Sequence, residues 1–516
     1  MAISDIEKSI NDALDPIDAW INDYPDVYVW YVAFIFIIGA GLFFLYRFRA
    51  MQITTLPEQA KLLRPANLDG KPDHEKKGMI SSFQAFCVGM GARVGVGNIT
   101  GVTSAIIMGG AGAVFWMWIF AILGACTSFV ECTLGQLFKE KKSDGNFHGG
   151  PAYYIKNGLK NHKFAIFIAF WIIVTYGVGF IANQASNSAS AFTRIDALAD
   201  IDGITIILGV VFAALTAALI FGGIKRVAKV SEIMVPVMVV IWLLIGIIAI
   251  IIGHDKIGWA ASEIFSNAFN FKQVFAGFAG SCIMWGLKRG VFSNEAGIGS
   301  VPNVASQSHV NHPVRQGLVQ SIGVLIDTVV VCSITAFMVL TCLPSISKRS
   351  VDGWSGIWDS DGRKSGWAID IVQSSLSEAF GGDWILWVLA IFMFVFAFSS
   401  LIAYYSMSEA NLRFIKDDDK CVTGLRVFIV LIVFLACIIP VSMVWDICDV
   451  FMAIMGIFNI IALFMLYKYV VALYKDYRKQ KAAGIEDPVF DTNNWDSEGL
   501  DTSGITVWTG HTRGDE

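Results

Sequence analysis

Charged residues are scarce in this 516-residue chain. Only 16% of its residues are charged, whereas an ordinary soluble domain has about 25%. Hydrophobic residues make up 55% of the chain, and the mean hydropathy is +0.60. This composition argues against a soluble globular domain and indicates a polytopic membrane protein. Basic clusters interleaved with aromatic residues are also lacking, so we expect no nucleic-acid partner.

Paired cysteines and catalytic motifs are absent as well. The nine cysteines are mostly isolated within apolar runs, and none has CxxC or metal-ligand spacing, so packing roles are expected. No HExxH motif occurs, and the histidines, such as His148, His309 and His312, fall mainly between the apolar runs. An intramembrane enzyme would need a nucleophile and base, or metal ligands, at membrane depth. We therefore expect neither an enzyme nor a bound cofactor.

A cleavable signal is not expected at the N-terminus. Residues 1–27 are acidic, and the first apolar run begins only near Val29, which does not fit a basic segment followed by a short apolar one. The first helix should therefore remain in the protein.

Apolar stretches of roughly 18 to 25 residues mark membrane-spanning helices. Eleven such stretches occur, and their odd number puts the two termini on opposite sides of the membrane. The predicted fold class is therefore all-α, a polytopic membrane protein with 11 transmembrane helices. The stretches are residues 28–46, 79–108, 112–138, 164–192, 204–221, 232–252, 272–298, 316–343, 383–409, 424–441 and 446–473.

Lysine and arginine are concentrated in alternate loops. The linker 47–78, the loop after the third helix and residues 222–231 are rich in them, whereas the other loops are acidic or neutral. By the positive-inside rule the basic loops are cytoplasmic. The N-terminal segment 1–27 is then external, and the tail 474–516 is cytoplasmic.

Two longer polar segments remain. The external loop 344–382 is either a lid or a solvated connection. The end of the tail, from Ala482, is acidic, glycine-rich and poor in aliphatic residues, a composition typical of disorder.

The last ten helices divide into two sets of five, residues 79–252 and 272–473, with one extra helix, 28–46, in front. Each set begins with a glycine-interrupted helix: "GARVGVGN" in the first, and "MWGLKRGVFSNEAGIGS", residues 284–300, in the second. Since five is odd, the second set enters the membrane from the opposite face. Matching breaks in an inverted-topology repeat point to a transporter's binding site.

A break in a membrane helix needs something to satisfy its freed backbone groups. Half-helix N-termini suit a carboxylate, and unwound carbonyls suit Na+. Close helix packing is the alternative explanation for the glycines. The presence of Arg93 and Asn98 in the same stretch, and of a second broken helix, favours a binding site.

Four motifs carry a resemblance to a known family. "RVGVGNITGV", "GGAGAVFWMW", "HGGPAYYIKNGL" and "KRGVFSNEAGIGS" resemble the sodium:alanine symporter family, also called alanine or glycine:cation symporters, of bacteria and archaea. The resemblance implies the leucine-transporter type fold in a bacterial or archaeal cytoplasmic membrane. It also implies Na+-driven uptake of a small neutral amino acid, namely alanine, glycine or serine.

The resemblance also implies a sodium site. "VGVGN" is similar to the first-helix break of the neurotransmitter:sodium symporters, which share that fold. By position, Gly91 and Val94 would offer carbonyls to the ion, and Ser399 and Ser400 would offer hydroxyls from the eighth core helix. The alternative for the two serines is hydrogen bonding to a preceding carbonyl of their own helix. No other metal is expected.

The same resemblance implies the substrate contacts. Gly95, Gly97 and Asn98 supply the first break, and Trp285 and Gly286 are assigned to the second. Gln184 matches a family position associated with substrate, although a glutamine in a membrane helix also serves to hold helices together. The tryptophan and the glycines favour a small substrate. These expected substrate residues are Gly95, Gly97, Asn98, Gln184, Trp285 and Gly286.

The charged residues leave alternatives open. Arg93 either clamps the substrate carboxylate or pairs with Asp327, Glu131 or Glu295 in a gate, and we favour the gate. Asp327 is either an ion-pair partner or a ligand on the cation path. Lys288 and Arg289 are expected to snorkel to the interface.

Two other transport mechanisms stay open. Proton coupling is the nearest rival to sodium coupling, with Asp327 or Glu131 as carriers. A channel is less consistent with the sequence, which lacks the repeated filter motif of a symmetric oligomer.

Overall fold

The computed structural model describes residues 3–63, 80–143, 145–269, 281–342 and 367–510. Within these ranges almost all regular structure is helical, which confirms the all-α architecture. One antiparallel pair of two-residue strands, β1 (Glu140–Lys141) and β2 (Phe147–His148), is the exception.

The chain begins with a nearly continuous helix that crosses from the N-terminal segment into the first apolar stretch. A π-helical turn at Asn22–Asp26 joins its two parts. The helices here are α1 (Ile3–Ile21), α2 (Val27–Arg47), α3 (Met51–Thr54) and α4 (Leu56–Leu62).

The region of the predicted first set of five spans begins with a broken helix, which consists of α5 (Ser82–Arg93) and α6 (Thr100–Gly109). The helices that follow are α7 (Gly112–Leu137), α8 (Pro151–Gly158), α9 (His162–Val174), α10 (Ile181–Thr193), α11 (Asp196–Ala199), α12 (Ile204–Ile220), α13 (Gly223–Ile252) and α14 (Ile257–Ala268).

The second set also starts with a broken helix. Its helices are α15 (Cys282–Asn294), α16 (Val301–Ala305), α17 (Pro313–Leu325), α18 (Ser333–Cys342), α19 (Trp367–Phe380), α20 (Trp384–Ile415), α21 (Asp419–Ala436) and α22 (Val441–Ala482). Of the external loop, residues 344–366 lie outside the described residues, and most of its remainder is α19.

Length and composition explain why these segments cross a membrane. Within the described ranges, seven helices are long and apolar enough to span it, and α6 and α12 are shorter apolar helices. The number of eleven spans stays a prediction. Large apolar side chains on the outer helices, such as Val210 of α12 and Ile233 of α13, are exposed, as expected for a lipid-facing surface.

Besides the first span with its turn at Asn22–Asp26, two other spanning helices of the described structure contain a π-helical turn, at Thr175–Phe180 between α9 and α10 and at Ile326–Cys332 between α17 and α18. Such turns occur frequently at functional sites. Each turn has buried residues toward the centre of the protein, such as Tyr176 and Asp327. There α7 packs along α15 and α17, and α20 packs along α5 and α10.

The loops gather on two faces. We call the face formed by residues 48–63, 139–161, 306–312 and 416–418 the basic face. The opposite one, formed by residues 194–203, 253–269 and 381–383, is the acidic face. On the basic face, for example, Lys139 donates to the Ser308 carbonyl at 2.9 Å, and the Ser143 hydroxyl donates to Asp417 at 2.8 Å.

The tail is folded against the basic face, so the prediction of disorder is wrong for residues 483–510. Phe490 and Trp508 are each 1% exposed. The Trp508 indole donates to the Gln136 carbonyl at 3.0 Å, and Arg315 pairs with Asp487 at 3.1 Å. A few aromatic side chains anchor a segment whose average composition is polar.

Candidate cation and substrate site

The first break lies between α5 and α6, where the sequence predicted it. α5 ends at Arg93, and a short 3-10 turn at Val96–Asn98 precedes α6. The Asn98 side-chain oxygen accepts from the Gly95 N–H at 2.9 Å, and the Gln184 side-chain oxygen accepts from the Val96 N–H at 3.1 Å. Side-chain carbonyls therefore replace part of the helical hydrogen bonding that the break removes.

Two positions of this break require glycine, because neighbouring side chains lie too close to the backbone for a Cβ atom. A Cβ on Gly95 would lie 2.4 Å from the Ser400 hydroxyl, and one on Gly97 would lie 2.7 Å from the Phe292 ring. Any side chain at these positions would displace the neighbouring helices. The glycines thus bring the backbone of the first break against α15 and α20.

The second break lies at residues 295–300, so the assignment of Trp285 and Gly286 to it is wrong. Both residues lie inside α15, and a Cβ on Gly286 would meet the Ala113 carbonyl at 2.7 Å, which explains this glycine by packing. The break itself has positive φ at Glu295 (55°), Gly297 (84°) and Gly299 (81°). These left-handed backbone conformations therefore end α15 just before Glu295, which lies ten residues after Trp285, where the break was predicted. A substrate contact of Trp285 or Gly286 stays a prediction.

Glu131 of α7 holds the second break in shape. Its carboxylate accepts from the N–H groups of Gly297 and Gly299, both at 3.2 Å, and from the Asn459 amide at 3.1 Å. A buried carboxylate satisfied by N–H donors is well suited to fixing unwound backbone. These contacts account for Glu131 without a role in cation movement.

One group of oxygens lies between α5 and α20, and we call it the serine cluster. Ser400 donates to the Gly91 carbonyl at 2.7 Å and to the Phe396 carbonyl at 3.2 Å, and Ser399 donates to the same Phe396 carbonyl at 2.8 Å. The structure therefore brings Gly91, Ser399 and Ser400 together, and both serines make the hydrogen bond to a preceding carbonyl of their own helix that was the alternative interpretation. A sodium site at these residues stays a prediction. Val94, the fourth predicted residue, is the fully buried residue that follows α5.

A second group of polar atoms, the Asp327 cluster, lies on the other side of the first break. Asp327 is 0% exposed in the π-helical turn Ile326–Cys332. Its carboxylate accepts from the Asn98 amide at 2.6 Å and from the hydroxyls of Ser293 and Thr328 at 2.7 and 2.9 Å. The Cys332 thiol lies 3.1 Å from the Ser293 hydroxyl. This cluster joins both broken helices to a buried negative charge.

Arg93 is buried beside both breaks, but within the described structure it donates to none of the three carboxylates predicted as its partners, Asp327, Glu131 and Glu295. Its guanidinium donates to the Asn294 carbonyl at 2.9 Å, to Gln320 at 3.1 Å and to Ser128 at 3.0 Å. All three acceptors are neutral oxygens. Arg93 therefore links the end of α5 to α15, α17 and α7 as a structural cross-connection, and Asp327 is not its hydrogen-bond partner.

Aromatic side chains cover the first break on its acidic-face side. Phe292 stacks on Phe180, with centroids 4.9 Å apart, and contacts Trp445 at 4.6 Å. The Trp445 indole donates to the Asn187 side-chain oxygen at 3.2 Å, which also accepts from Thr100 at 3.2 Å. The rings therefore pack directly against the backbone of the first break, at Gly97.

Lys288 and Arg289 are buried and paired, so the prediction that they snorkel is wrong. Lys288 is 4% exposed and pairs with Asp26; Arg289 is 3% exposed and pairs with Asp449 at 2.6 Å. The Arg289 guanidinium also lies 4.3 Å from the Trp445 ring centroid. The pair and the tryptophan close the site on the acidic face.

Sequence reasoning missed several residues of this site. Ser293, Phe292 and Trp445 contact the first break or its neighbours, yet none stood out in the sequence. For Ser293, its place just before the glycines of the second break is the signal that could have found it. Trp445 lies at the start of a long helix, and no sequence signal predicts its contact with Asn187.

Comparison with known proteins identifies what this arrangement is similar to. The profile of the sodium:alanine symporter family matches residues 14–492. The probable sodium/glutamine symporter GlnT of Bacillus subtilis is 38% identical over 456 residues, which cover 88% of this chain and 89% of GlnT. A sodium/proton-dependent alanine carrier protein of Bacillus sp. is 33% identical over 431 residues, covering 81% of this chain and 92% of the carrier.

Among solved structures, MhsT in complex with L-phenylalanine shares the fold. The TM-score is 0.51 at 14% sequence identity, and the match covers 74% of this chain and 88% of that one. The likeness extends to the leucine-transporter type fold only.

Proposed function

The chain belongs to the sodium:alanine symporter family, and from this premise we propose that it takes up a small neutral amino acid, alanine or one of similar size, together with Na+. Family and fold are those of transporters, not of enzymes, and they support amino-acid transport with Na+ as the coupling ion. The preferred amino acid and the alternating-access mechanism are parts of the proposal.

The observation that carries the proposal is the pair of buried oxygen clusters on either side of the first break. A bare alkali cation binds oxygen atoms, and no lysine or arginine nitrogen is among the hydrogen-bond partners of either cluster in the described structure. In the serine cluster, Gly91, Ser399 and Ser400 would hold one Na+, with the Val94 carbonyl as a further ligand. In the Asp327 cluster, the Asp327 carboxylate and the Ser293 hydroxyl would hold a second cation.

The substrate would bind at the first break between these clusters. The N–H groups of Gly95 and Gly97 and the amide of Asn98 are the proposed contacts of its carboxylate, since unwound helix ends favour anions. Gln184 already contacts Val96 and lies next to Gly95, which supports its assignment. The Phe292 ring, packed on Gly97, favours a substrate with a short side chain.

Orientation is proposed from the basic residues. The basic face would be cytoplasmic and the acidic face external, with the N-terminus outside and the C-terminus inside a bacterial or archaeal cytoplasmic membrane. Uptake would then start with opening of the Arg289–Asp449 pair. Uptake would end when the contacts between the start of α5 and the residues of the basic face separate and the substrate is released on that side.

The experiment is uptake of labelled alanine into proteoliposomes. An imposed inward Na+ gradient should drive accumulation above equilibrium, and K+ in place of Na+ should abolish it. Competition by a panel of unlabelled amino acids then measures the substrate range, with glutamine included because of GlnT. Equilibration without accumulation would contradict symport.

The serine cluster has its own test within this assay. Replacing both Ser399 and Ser400 by alanine should raise the Na+ concentration needed for half-maximal uptake. An unchanged Na+ dependence would remove both hydroxyls from the proposed cation site.

Proton coupling is the second candidate. It is favoured by the name of the Bacillus sp. relative, and by Glu295, a glutamate that is fully buried in the second break. Imposed Na+ and pH gradients, applied separately, distinguish the two couplings.

A further inference from the structure

The end of the chain forms a compact unit that covers part of the basic face. Residues 483–510, which we call the strap, follow α22 and contain buried rings. The Phe490 ring contacts the rings of Trp495 and Trp508, with centroids 5.2 and 5.7 Å apart. The Thr492 N–H donates to the Trp508 carbonyl at 3.1 Å. These contacts fold the strap back on itself, so that it docks as one unit.

The strap binds the loop that precedes α17. We call residues 306–312, which lead into this helix, the docking segment. The Phe490 N–H donates to the Asn311 carbonyl at 2.9 Å, and Asp487 accepts from the Asn311 amide at 2.5 Å. Asp487 also pairs at 3.1 Å with Arg315 of α17, which is 2% exposed. The strap thereby provides partners for backbone and side-chain groups around the start of α17.

A second contact between the strap and the docking segment runs through the end of α7. The Gln136 amide donates to the Ser308 hydroxyl at 2.9 Å, and Lys139 donates to the Ser308 carbonyl at 2.9 Å. Trp508 contacts both donor residues: its indole donates to the Gln136 carbonyl at 3.0 Å, and the Lys139 ammonium lies 4.8 Å from its ring centroid. The strap therefore binds the docking segment directly at Asn311 and supports the two side chains that hold it at Ser308.

The docking segment in turn holds the first half of the first broken helix. The His309 N–H donates to the Ile80 carbonyl at 3.0 Å. Ser308 and Ile80 also form a parallel bridge, two residues before α5 begins. At its other end α5 carries Gly91 of the serine cluster. A series of contacts therefore connects the strap to one of the proposed cation sites.

The position of the docking segment depends on its neighbours. The segment has no helix of its own, so contacts with other elements, and not hydrogen bonds within it, fix its course. Opening of the site toward the basic face requires the start of α5 to separate from this segment. Loss of the strap would loosen the surface on which α5 docks and would shift the equilibrium toward the state that is open on the basic face.

We propose that the strap keeps the basic face closed: it holds the docking segment in the position that binds the start of α5, and the basic face opens more often when the strap is detached. This inference rests on the proposed transport function, in which the site opens to the two faces in turn. It gives the strap a part in the conformational cycle in addition to its contribution to stability. By linkage, the strap is bound more weakly when the basic face is open.

The test measures how fast Cys332 reacts with a membrane-impermeant thiol reagent added on the basic-face side, in the absence of substrate. Cys332 is 2% exposed and lies beside Asn98 of the first break, so the reagent reaches it only through an open closure. In a background with the other cysteines replaced by serine, Asp487→Ala removes the contacts to Asn311 and Arg315. It should speed this labelling about fivefold, the size expected for one net hydrogen bond. Labelling from the acidic-face side should not become faster.

Two further variants accompany this one. Glu498→Ala is the matched control, because Glu498 is another acidic residue of the strap but pairs with Lys475 of α22, and both side chains are exposed. It should be labelled at the wild-type rate from both faces. Phe490→Ala disrupts the strap at a different contact and should also speed labelling from the basic-face side only.

The outcomes are separable. Wild-type labelling rates from the basic-face side in both Asp487→Ala and Phe490→Ala would overturn the inference. An equal increase from both faces would do the same, since it would indicate a general loosening of the protein. These measurements need no substrate, so they decide the role of the strap even if wild type does not accumulate alanine, a result that would count against the proposed function instead.

Hydrogen exchange in the wild type covers the case in which the variants do not fold. The amide of Phe490, bonded to the Asn311 carbonyl, reports whether the strap is attached. In a preparation that accumulates alanine, this amide should exchange more slowly in Na+ with alanine than in K+, because an occupied site stabilises the closed state and with it the attached strap. Equal exchange in the two media would contradict the proposal.

Discussion

At the scale of single residues, Gly95 has no room for a side chain. A Cβ there would lie 2.4 Å from the Ser400 hydroxyl and 2.9 Å from the Gln184 side-chain oxygen. Overpacking of this kind costs about 1–3 kcal/mol, and here it would also separate the first break from the serine cluster. We expect Gly95→Ala to abolish Na+-driven uptake. Gly39→Ala is the control, because nothing lies within 4 Å of a Cβ at that site, and it should transport normally.

Two buried carboxylates are expected to respond differently to amide substitution. Asp327→Asn removes the charge from its cluster and should raise the Na+ concentration for half-maximal uptake by about tenfold, equivalent to about 1.4 kcal/mol. Glu131→Gln leaves one backbone N–H of the second break without an acceptor, which costs about 1–3 kcal/mol of stability. It should lower the melting temperature while the Na+ dependence stays near wild type. Identical effects of the two substitutions on Na+ dependence would refute this division of roles.

The role of a residue could be predicted from the sequence where its contacts lie in the local backbone. It could not be predicted where the contacts lie on other helices. Asn98 and Gly95 lie in the local backbone of a break, and glycine spacing alone indicates such a break. Arg93 drew attention because a charge in a membrane helix is rare, yet its acceptors lie on three other helices. A single sequence does not tell which helices meet there.

At the scale of elements, His312 caps a helix on the basic face. Its Nδ1 accepts from the Val314 N–H at 3.2 Å at the start of α17, and its Nε2 lies 3.2 Å from Asp476. Burial lowers the pKa of His312 below its usual value of about 6.5, although Asp476 opposes the shift. The unfolded chain therefore takes up a proton at a higher pH than the folded one, so stability is lost as the pH falls below about 6.5.

The prediction concerns the melting temperature between about pH 8 and pH 5.5. It should fall on acidification in wild type, and less so in His312→Asn, because asparagine can still cap the helix without titrating. Parallel curves for the two proteins would assign the acid sensitivity to other groups.

The tail is an element held by few side chains. Trp508 is 1% exposed, donates to Gln136, and has the Lys139 ammonium 4.8 Å from its ring. Trp508→Ala should therefore lower the melting temperature, at a cost of about 3–5 kcal/mol as for other buried aromatic truncations. Thr506→Ala changes an exposed neighbour and should have little effect. A normal melting temperature for Trp508→Ala would show that the tail packing contributes little.

The bounds of an element could be predicted where the length of an apolar run determines them. They were harder to predict where contacts between elements determine them. Long apolar runs such as residues 112–138 match α7 within one residue. The second break was misplaced because α15 continues through Gly286 and Gly290, which pack against α7 instead of interrupting the helix. The tail was misjudged because buried Phe490 and Trp508 outweigh an average polar composition.

At the scale of the whole molecule, the site is closed toward both faces. On the basic face, His309 donates its N–H to the Ile80 carbonyl at 3.0 Å, and Gln316 donates to Ser82 at 2.8 Å, which together hold the start of α5. On the acidic face, Arg289 pairs with Asp449 beneath Trp445. In the proposed alternating-access mechanism each closure opens in turn, so weakening one of them should bias the protein toward one open state.

Cys332 is a native reporter for this bias. Its thiol is 2% exposed and lies beside Asn98 and Ser293 in the Asp327 cluster, where a reagent reaches it only if a closure opens. In a background with the other cysteines replaced by serine, Asp449→Asn should speed its labelling by a membrane-impermeant thiol reagent added on the acidic-face side. The reason is that Arg289 loses a charged partner and the acidic face opens more often.

Na+ together with alanine should slow this labelling if both occupy the site and stabilise the closed state. Asp446→Asn is the control, since it removes a neighbouring carboxylate but leaves the Arg289–Asp449 pair intact. A labelling rate that Asp449→Asn leaves unchanged, or that Asp446→Asn raises equally, would mean that the ion pair does not hold the acidic face closed. Opening would then have to be controlled by the remaining contacts there, of which the Lys288–Asp26 pair between α15 and the N-terminal helix is the next to test.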